Sequence, residues 1–173
     1  MNHFGESVTV IDCTFGKGAG ALQQGLERIR AEAADAVSSG SGHIVLTDQH
    51  QSETRVGMPM ILATSAVHSG LTAKGLRTFC SINVRSAECV DPHYFAVLIG
   101  SGATTVNAYL ALDSIANRVE RGLIDGTLLD AVRRYRAAVN AGLLKIMSKM
   151  GISVLSSYRG GLNFEAVGLS RAM

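Results

Sequence analysis

Short runs of apolar and β-branched residues recur along this 173-residue chain, and each is followed by a segment with helical periodicity. Runs of this kind, bounded by glycine or polar clusters, are typical of buried strands. The first two runs end on aspartates, Asp12 and Asp48. The pattern predicts strands at residues 8–12, 43–48, 77–84, 104–109 and 152–155.

The segments between these strands carry apolar residues at three- and four-residue steps, which predicts amphipathic helices. Asp91 and Pro92 supply the N-cap and first-turn residues of one helix, and Pro59 stands in the first turn of another. The longest apolar stripe continues through Gly142 and ends before Gly151. Helices are expected at residues 21–39, 59–74, 91–100, 110–121 and 128–150, with a last helix after Gly161.

Strands and helices alternate almost throughout, which predicts an α/β fold: a mostly parallel sheet of about five strands with flanking helices. An eight-stranded (β/α) barrel usually takes about 250 residues. We therefore expect 173 residues to form either a partial or degenerate (β/α) barrel or an open doubly wound sheet. Residues 1–173 are expected to form a single, incomplete domain whose open sheet edge invites self-association.

Composition and charge narrow the function classes. A hydrophobic content of 47% supports a real core, while a net charge of +2 indicates neither a nucleic acid nor a membrane as partner. The three cysteines, Cys13, Cys80 and Cys89, are odd in number and widely spaced, which favours free thiols in a reducing compartment. No run approaches the roughly 18 to 20 apolar residues of a membrane span, and the chain is expected to be cytoplasmic.

Candidate chemistry is sparse. Asp12 and Asp48 end neighbouring strands, where a carboxylate pair would suit acid–base catalysis, although such aspartates more often bond the loop amides beyond them. The glycine-rich turn at residues 16–20 stands where backbone amides cradle phosphate, but Lys17 lacks the following Ser or Thr of a P-loop. The histidines lack metal-ligand spacing, so that no metal site is expected.

The segment from Gly142 to Gly161 concentrates polar groups within an otherwise apolar stretch. Lys145 and Lys149 are four residues apart and so share one face of the predicted helix, where two solvated lysines are the simplest interpretation. The polar turn at residues 156–161 then follows the last predicted strand. Its hydroxyls and guanidinium are expected at the strand's carboxyl end, where functional groups gather in α/β sheets.

Several motifs together resemble the central domain of the glutamate synthase large (alpha) subunit. The similarity runs from about residue 8 to residue 172, nearly the whole chain. The runs Lys-Ile-Met-Ser-Lys-Met-Gly-Ile-Ser and Ser-Tyr-Arg-Gly are the most distinctive, because they follow no generic helix or strand pattern. The motifs that carry the resemblance lie at residues 12–15, 93–100, 102–111, 142–153 and 157–160.

The resemblance implies a defined place in a larger enzyme. In that family an amino-terminal glutamine amidotransferase domain releases ammonia, which travels through a tunnel to a domain that binds FMN and an iron–sulfur cluster. There ammonia and 2-oxoglutarate become glutamate by reduction. The central domain resembles a degenerate flavin barrel, links the two catalytic domains and braces the tunnel, so that the chain alone is expected to be inactive.

No catalytic, cofactor-binding or metal-binding residue is assigned from this resemblance. Met1 and Asn2 do not match the amidotransferase cysteine, and no segment matches the family's flavin or cluster motifs. Domain-contacting, structure-holding roles are expected for Lys149, Ser157, Tyr158 and Arg159. The partners implied are the amidotransferase and FMN-binding domains.

Two alternatives from other classes remain open at the level of the sequence. In the first alternative, the chain is a small stand-alone α/β protein that binds a phosphorylated metabolite through Asp12, Asp48 and the glycine turn. In the second alternative, it is a designed or excised partial barrel that self-associates through its open edge.

Overall fold

A computed structural model describes residues 7–165 and 167–168 of the chain. Four strands form a parallel sheet in the order β1-β3-β5-β6, and two further strands form a separate antiparallel pair. The parallel strands are β1 (Val8–Asp12), β3 (His43–Thr47), β5 (Ser81–Arg85) and β6 (Thr105–Asn107), and the antiparallel pair is β2 (Thr14–Gly16) and β4 (Arg55–Gly57).

Six α-helices connect and follow these strands among the described residues. They are α1 (Ala21–Ser38), α2 (Met60–Ala73), α3 (Pro92–Gly100), α4 (Tyr109–Glu120), α5 (Leu128–Lys149) and the single turn α6 (Leu155–Tyr158). No helix in this part of the chain is long and apolar enough to cross a membrane.

The strand order places the helices in one layer. Each parallel strand adds beside the preceding one in the same direction, and right-handed crossovers then put every connecting helix on the same face of the sheet. In agreement, α1 contacts α2, α2 contacts α3, and α3 contacts α5. This arrangement is the one found in (β/α) barrels, and it decides against the doubly wound alternative, which has helices on both faces.

The side chains of the strands follow this one-sided architecture. Ile44, Leu46 and Ile82 point toward the helices and are fully buried. The opposite face carries Val10, which is 60% exposed, and Asn83, which donates to the Ile44 carbonyl at 3.2 Å. The α/β fold with a parallel sheet is therefore confirmed, with one face packed and the other partly open.

Local sequence signals account for the ends of two helices. The Asp91 carboxylate accepts hydrogen bonds from the His93 and Tyr94 amides, at 2.8 and 3.2 Å, as the N-cap prediction requires. Thr127 caps α5 in the same way, since its hydroxyl accepts from the Asp130 amide at 3.2 Å. Both caps satisfy amides that the first helical turn leaves without partners.

The strand predicted at residues 152–155 is wrong. Gly151 adopts a positive φ of 70° after α5, and the Ile152 amide bonds back to the Met147 carbonyl at 2.9 Å. This C-terminal cap reverses the chain, and α6 then begins at Leu155. The parallel sheet consequently has four strands among the described residues.

Other boundaries differ in smaller ways. The β2–β4 pair was not predicted, because strands of three residues are too short to show an alternating pattern. Residues 77–79 form a 3-10 helix, so that β5 begins at Ser81. The last predicted helix, after Gly161, falls partly outside the described residues, and residues 161–165 are irregular.

Candidate functional site

Asp48 lies at the carboxyl end of β3 and is 1% exposed. One carboxylate oxygen accepts from the Ser86 hydroxyl at 3.1 Å and the Ala87 amide at 2.9 Å. The other accepts from the Tyr109 hydroxyl at 2.9 Å. Burial, with this hydrogen bond and the carboxylate charge, raises the pKa of Tyr109 to about 12. Asp48 thus joins the carboxyl end of β3 to the residues that follow β5 and to the start of α4.

Asp12, at the end of β1, is held by a different set of neighbours. Its carboxylate accepts from the Thr14 amide and hydroxyl, each at 2.9 Å, and from the Arg55 guanidinium at 3.1 Å. Arg28, from α1, donates to the Asp12 carbonyl at 2.7 Å. These contacts fix the β2–β4 pair against the sheet. Each aspartate therefore accepts from a backbone amide beyond its own strand, which supports the structural interpretation over a catalytic pair.

The glycine turn at residues 16–20 lies between β2 and α1. Gly20 is the N-cap residue of α1 and has a left-handed conformation, with φ of 77°. Added β-carbons at Gly16, Gly18 and Gly20 would meet no described atom within 4 Å. No described protein atom thus crowds the turn, and the positive φ of Gly20 favours glycine at that position.

Thiols and potential metal ligands are scattered. Burial raises the pKa values of Cys13 and Cys89 to about 12, which keeps both thiols protonated near neutral pH. Within residues 7–165 and 167–168, no three His, Cys, Asp or Glu side chains lie close enough to hold a metal ion.

The Ser-Tyr-Arg turn lies against the C-terminal end of α3, where the Gly160 amide donates to the Ile99 carbonyl, and not at the carboxyl end of a strand. Tyr158 is 1% exposed, and its hydroxyl donates to the Ala96 carbonyl of α3 at 3.1 Å. Its ring meets Phe164 edge-on, at a centroid distance of 6.1 Å. Ser157 and Arg159 flank this anchor and are exposed, as is Lys149 at the end of α5.

His68, on α2, contacts three separate segments of the chain, and no sequence motif marks it. Its Nδ1 accepts from Arg77 Nε at 2.9 Å, while Arg77 also donates to the carbonyls of Cys80 and Gly102, at 2.7 and 2.8 Å. A β-carbon on Gly102 would lie 2.4 Å from His68 Nδ1, and one on Gly160 would lie 2.8 Å from Cε1. The imidazole is therefore wedged between the α3–β6 loop and the Ser-Tyr-Arg turn.

The parallel strands in sequential order and the single layer of helices define this protein as part of the (β/α)-barrel class. A structural comparison agrees: the crystal structure of DHODH from Eimeria tenella in complex with ferulenol, a TIM-barrel fold, is similar with a TM-score of 0.53. The match covers 78% of this chain and 34% of that chain at 16% identity, so that the fold alone is shared.

Within that class, the chain belongs to the glutamate synthase central domain family, whose model matches residues 1–170. It is 55% identical to the glutamate synthase [NADPH] large chain of Azospirillum brasilense over 99% of its own length. The corresponding Bacillus subtilis large chain is 43% identical over 87% of this chain, and ferredoxin-dependent glutamate synthase 1 of Arabidopsis thaliana is 43% identical over 88%. The chain spans 12% of the first of these relatives and 10% of the other two. The resemblance drawn from the motifs is confirmed.

Proposed function

We propose that this chain acts as the non-catalytic central domain of a glutamate synthase, in which glutamine, 2-oxoglutarate and a reductant yield glutamate. As one domain, it links the amidotransferase and FMN-binding domains and braces the ammonia tunnel between them. The observation that carries the proposal is the family match over residues 1–170. The hydrogen bonding of Asp12 and Asp48 supports a non-catalytic role, because both carboxylates are held by hydrogen bonds within the domain.

The contact with neighbouring domains is assigned to the exposed groups around the Ser-Tyr-Arg turn. Tyr158 anchors the turn from inside, while Lys149, Ser157 and Arg159 present polar groups outward. Among the described residues Lys149 and Arg159 form no salt bridge, which leaves two cations available to carboxylates of another domain. FMN and the iron–sulfur cluster belong to the partner domains in this proposal.

A chimera tests this role. This sequence replaces the matching segment of the Azospirillum brasilense large chain, and glutamine hydrolysis and glutamate formation are measured together. In the unchanged chimera we expect two glutamates formed per glutamine consumed, one from glutamine hydrolysis and one from reductive addition of the released ammonia to 2-oxoglutarate. Arg159→Ala with Lys149→Ala should loosen the domain contact, so that ammonia escapes and the yield falls from two glutamates per glutamine toward one.

The control replaces Arg121, an exposed arginine at the end of α4, with alanine. This variant should keep the ratio of two glutamates per glutamine. The proposal fails if the double variant also keeps that ratio, or if the purified chain alone hydrolyses glutamine or binds FMN stoichiometrically.

A further inference from the structure

Strand β6 forms one edge of the parallel sheet. It pairs with β5 on one side through Asn83↔Thr105, Val84↔Val106 and Arg85↔Asn107, and no described strand lies on its other side. An edge strand presents a row of unpaired amide and carbonyl groups, which is a template for a further strand. The free side of β6 is thus an unfinished part of the sheet.

A cavity of about 460 Å³ runs along this free side. Its floor is formed by residues 104–108, the whole of β6 with one residue at each end. Its walls come from the helical layer and are mostly apolar. They include Ile99 of α3, with Val132, Val139 and Leu143 of α5, while Arg136 and Asn140 of α5 add polar groups. An extended backbone placed here would meet strand amides and carbonyls on one side and aliphatic groups on the other.

Helix α5 already occupies the place of a crossover helix. It packs on α3 and α4, and its side chains form one wall of the cavity beside β6, where the next parallel strand would lie. In a right-handed β-helix-β unit, the helix packs over the two strands that it connects. Here β6 is one of those two strands, and the cavity lies where the second strand would pack.

We propose that this cavity receives a parallel β-strand from the part of a glutamate synthase large chain that this sequence does not contain. The inference rests on the proposed function, which places the chain inside a longer polypeptide. The sequence spans only 12% of the Azospirillum brasilense relative, and the matched barrel continues well beyond the 34% that it shares with this chain. A strand beside β6 extends the sheet in the direction that β1, β3, β5 and β6 already follow.

Two other occupants fit the geometry less well. Residues 152–154 follow α5, but the Ile152 amide is bonded to Met147, and the Gly160 and Leu162 amides bond to Ile99 and Gly100 beneath α3. A second copy of the chain would bring its own α5 over its own β6. In a twofold dimer both overhanging helices would have to share one groove.

Residue-resolved hydrogen exchange tests the proposal, by comparing this chain alone with the chimera described above. Amides of residues 104–108 that face β5 should exchange slowly in both proteins. Amides on the free side should exchange about tenfold or more slowly in the chimera than in the chain alone. The proposal is overturned if free-side exchange is equally fast in both, or if both sets of amides slow together, as general coverage would produce. Free-side protection in a dimeric isolated chain would also overturn it.

A pair of variants on α5 sharpens the test. Val132→Asp puts a charge inside the cavity, whereas Leu129→Asp alters a side chain that is 58% exposed and lies outside its lining. In the chimera, Val132→Asp should restore fast free-side exchange and Leu129→Asp should leave it slow. The same result for both variants contradicts the proposal. Amide exchange and ammonia transfer are measured separately, so that the two proposals can fail separately. If the double variant lowers the glutamate yield but the free side of β6 is unprotected in the chimera, the strand proposal fails. If the free side is protected but the double variant keeps the yield, the proposed function fails.

Discussion

His68 makes the contact between α2 and the Ser-Tyr-Arg turn sensitive to pH. Burial, and then the nearby Arg77 charge, lowers the pKa of His68 below its ordinary value of 6.5. The unfolded chain therefore takes up this proton more readily than the folded chain, and the stabilisation is complete above pH 6.5. It should be lost as pH falls from 6.5 through the lowered folded pKa, because a protonated Nδ1 no longer accepts from Arg77.

Denaturant unfolding of the wild type between pH 8 and pH 5 measures this loss. His68→Gln should flatten the curve over that range and cost about 1 kcal/mol at neutral pH, since one hydrogen bond is weakened. The control His93→Gln, at an exposed position on α3, should keep the wild-type curve. An unchanged pH dependence in His68→Gln would contradict the role of the imidazole.

Asp48 should be far more sensitive to substitution than its lack of a catalytic role suggests. Asp48→Ala removes the common acceptor of Ser86, Ala87 and Tyr109 and should lower the free energy of unfolding by about 3 kcal/mol. Tyr109→Phe removes only one of these bonds and should cost about 1 kcal/mol. Urea denaturation distinguishes the two, and equal effects would show that the carboxylate is not the centre of the network.

At the scale of whole elements, α5 shows how a helix-breaking residue serves packing. Gly142 lies within this 22-residue helix, and an added β-carbon would stand 2.5 Å from Pro92 Cβ at the start of α3. Glycine to alanine usually stabilises a helix interior by about 0.5–1 kcal/mol. Here Gly142→Ala should instead destabilise by about 1–3 kcal/mol, because the proline ring is rigid and its helix must move.

Gly25 of α1 provides the matched control. Its added β-carbon would lie 2.5 Å from the terminal methyl of Met58, at the end of a flexible side chain, and 3.2 Å from Phe15 Cβ, a much milder approach. Gly25→Ala should therefore cost less than Gly142→Ala when the two are compared by thermal unfolding. The reverse order would mean that α3 and α5 adjust more easily than the Met58 side chain.

The same elements show how far the sequence determined the fold. The hydrophobic pattern located all four parallel strands of the described sheet and helices α1 to α5, because burial on one face imposes a clear period on each. Residues 152–155 misled it, since the β-branched residues Ile152 and Val154 favour a strand, whereas in the structure Ile152 belongs to the cap of α5 and Val154 is 57% exposed. The Ser-Tyr-Arg motif was recognised, but its partner His68, about 90 residues earlier in the sequence, depends on tertiary contacts that no local pattern encodes.

For the molecule as a whole, the single layer of helices predicts that substitutions at two adjacent residues change the free energy of unfolding by very different amounts. Ile11 is 1% exposed and points toward the helices, whereas Val10 is 60% exposed on the other face. Ile11→Thr should lower the free energy of unfolding by about 2–4 kcal/mol, because it buries a hydroxyl and removes apolar volume. Val10→Thr should change it by less than about 0.5 kcal/mol. Comparable losses in urea denaturation would show that the second face is covered in solution.

The sequential order of the parallel strands has a consequence for biosynthesis. Each strand pairs with the parallel strand translated before it, so that β3 meets β1, β5 meets β3, and β6 meets β5 as the chain leaves the ribosome. Domains tend to fold from the N-terminus during synthesis, and short sequence separations favour rapid pairing. The newest strand is therefore always the edge of the sheet, and α5, which is synthesised after β6, packs on α3 only once that edge has formed.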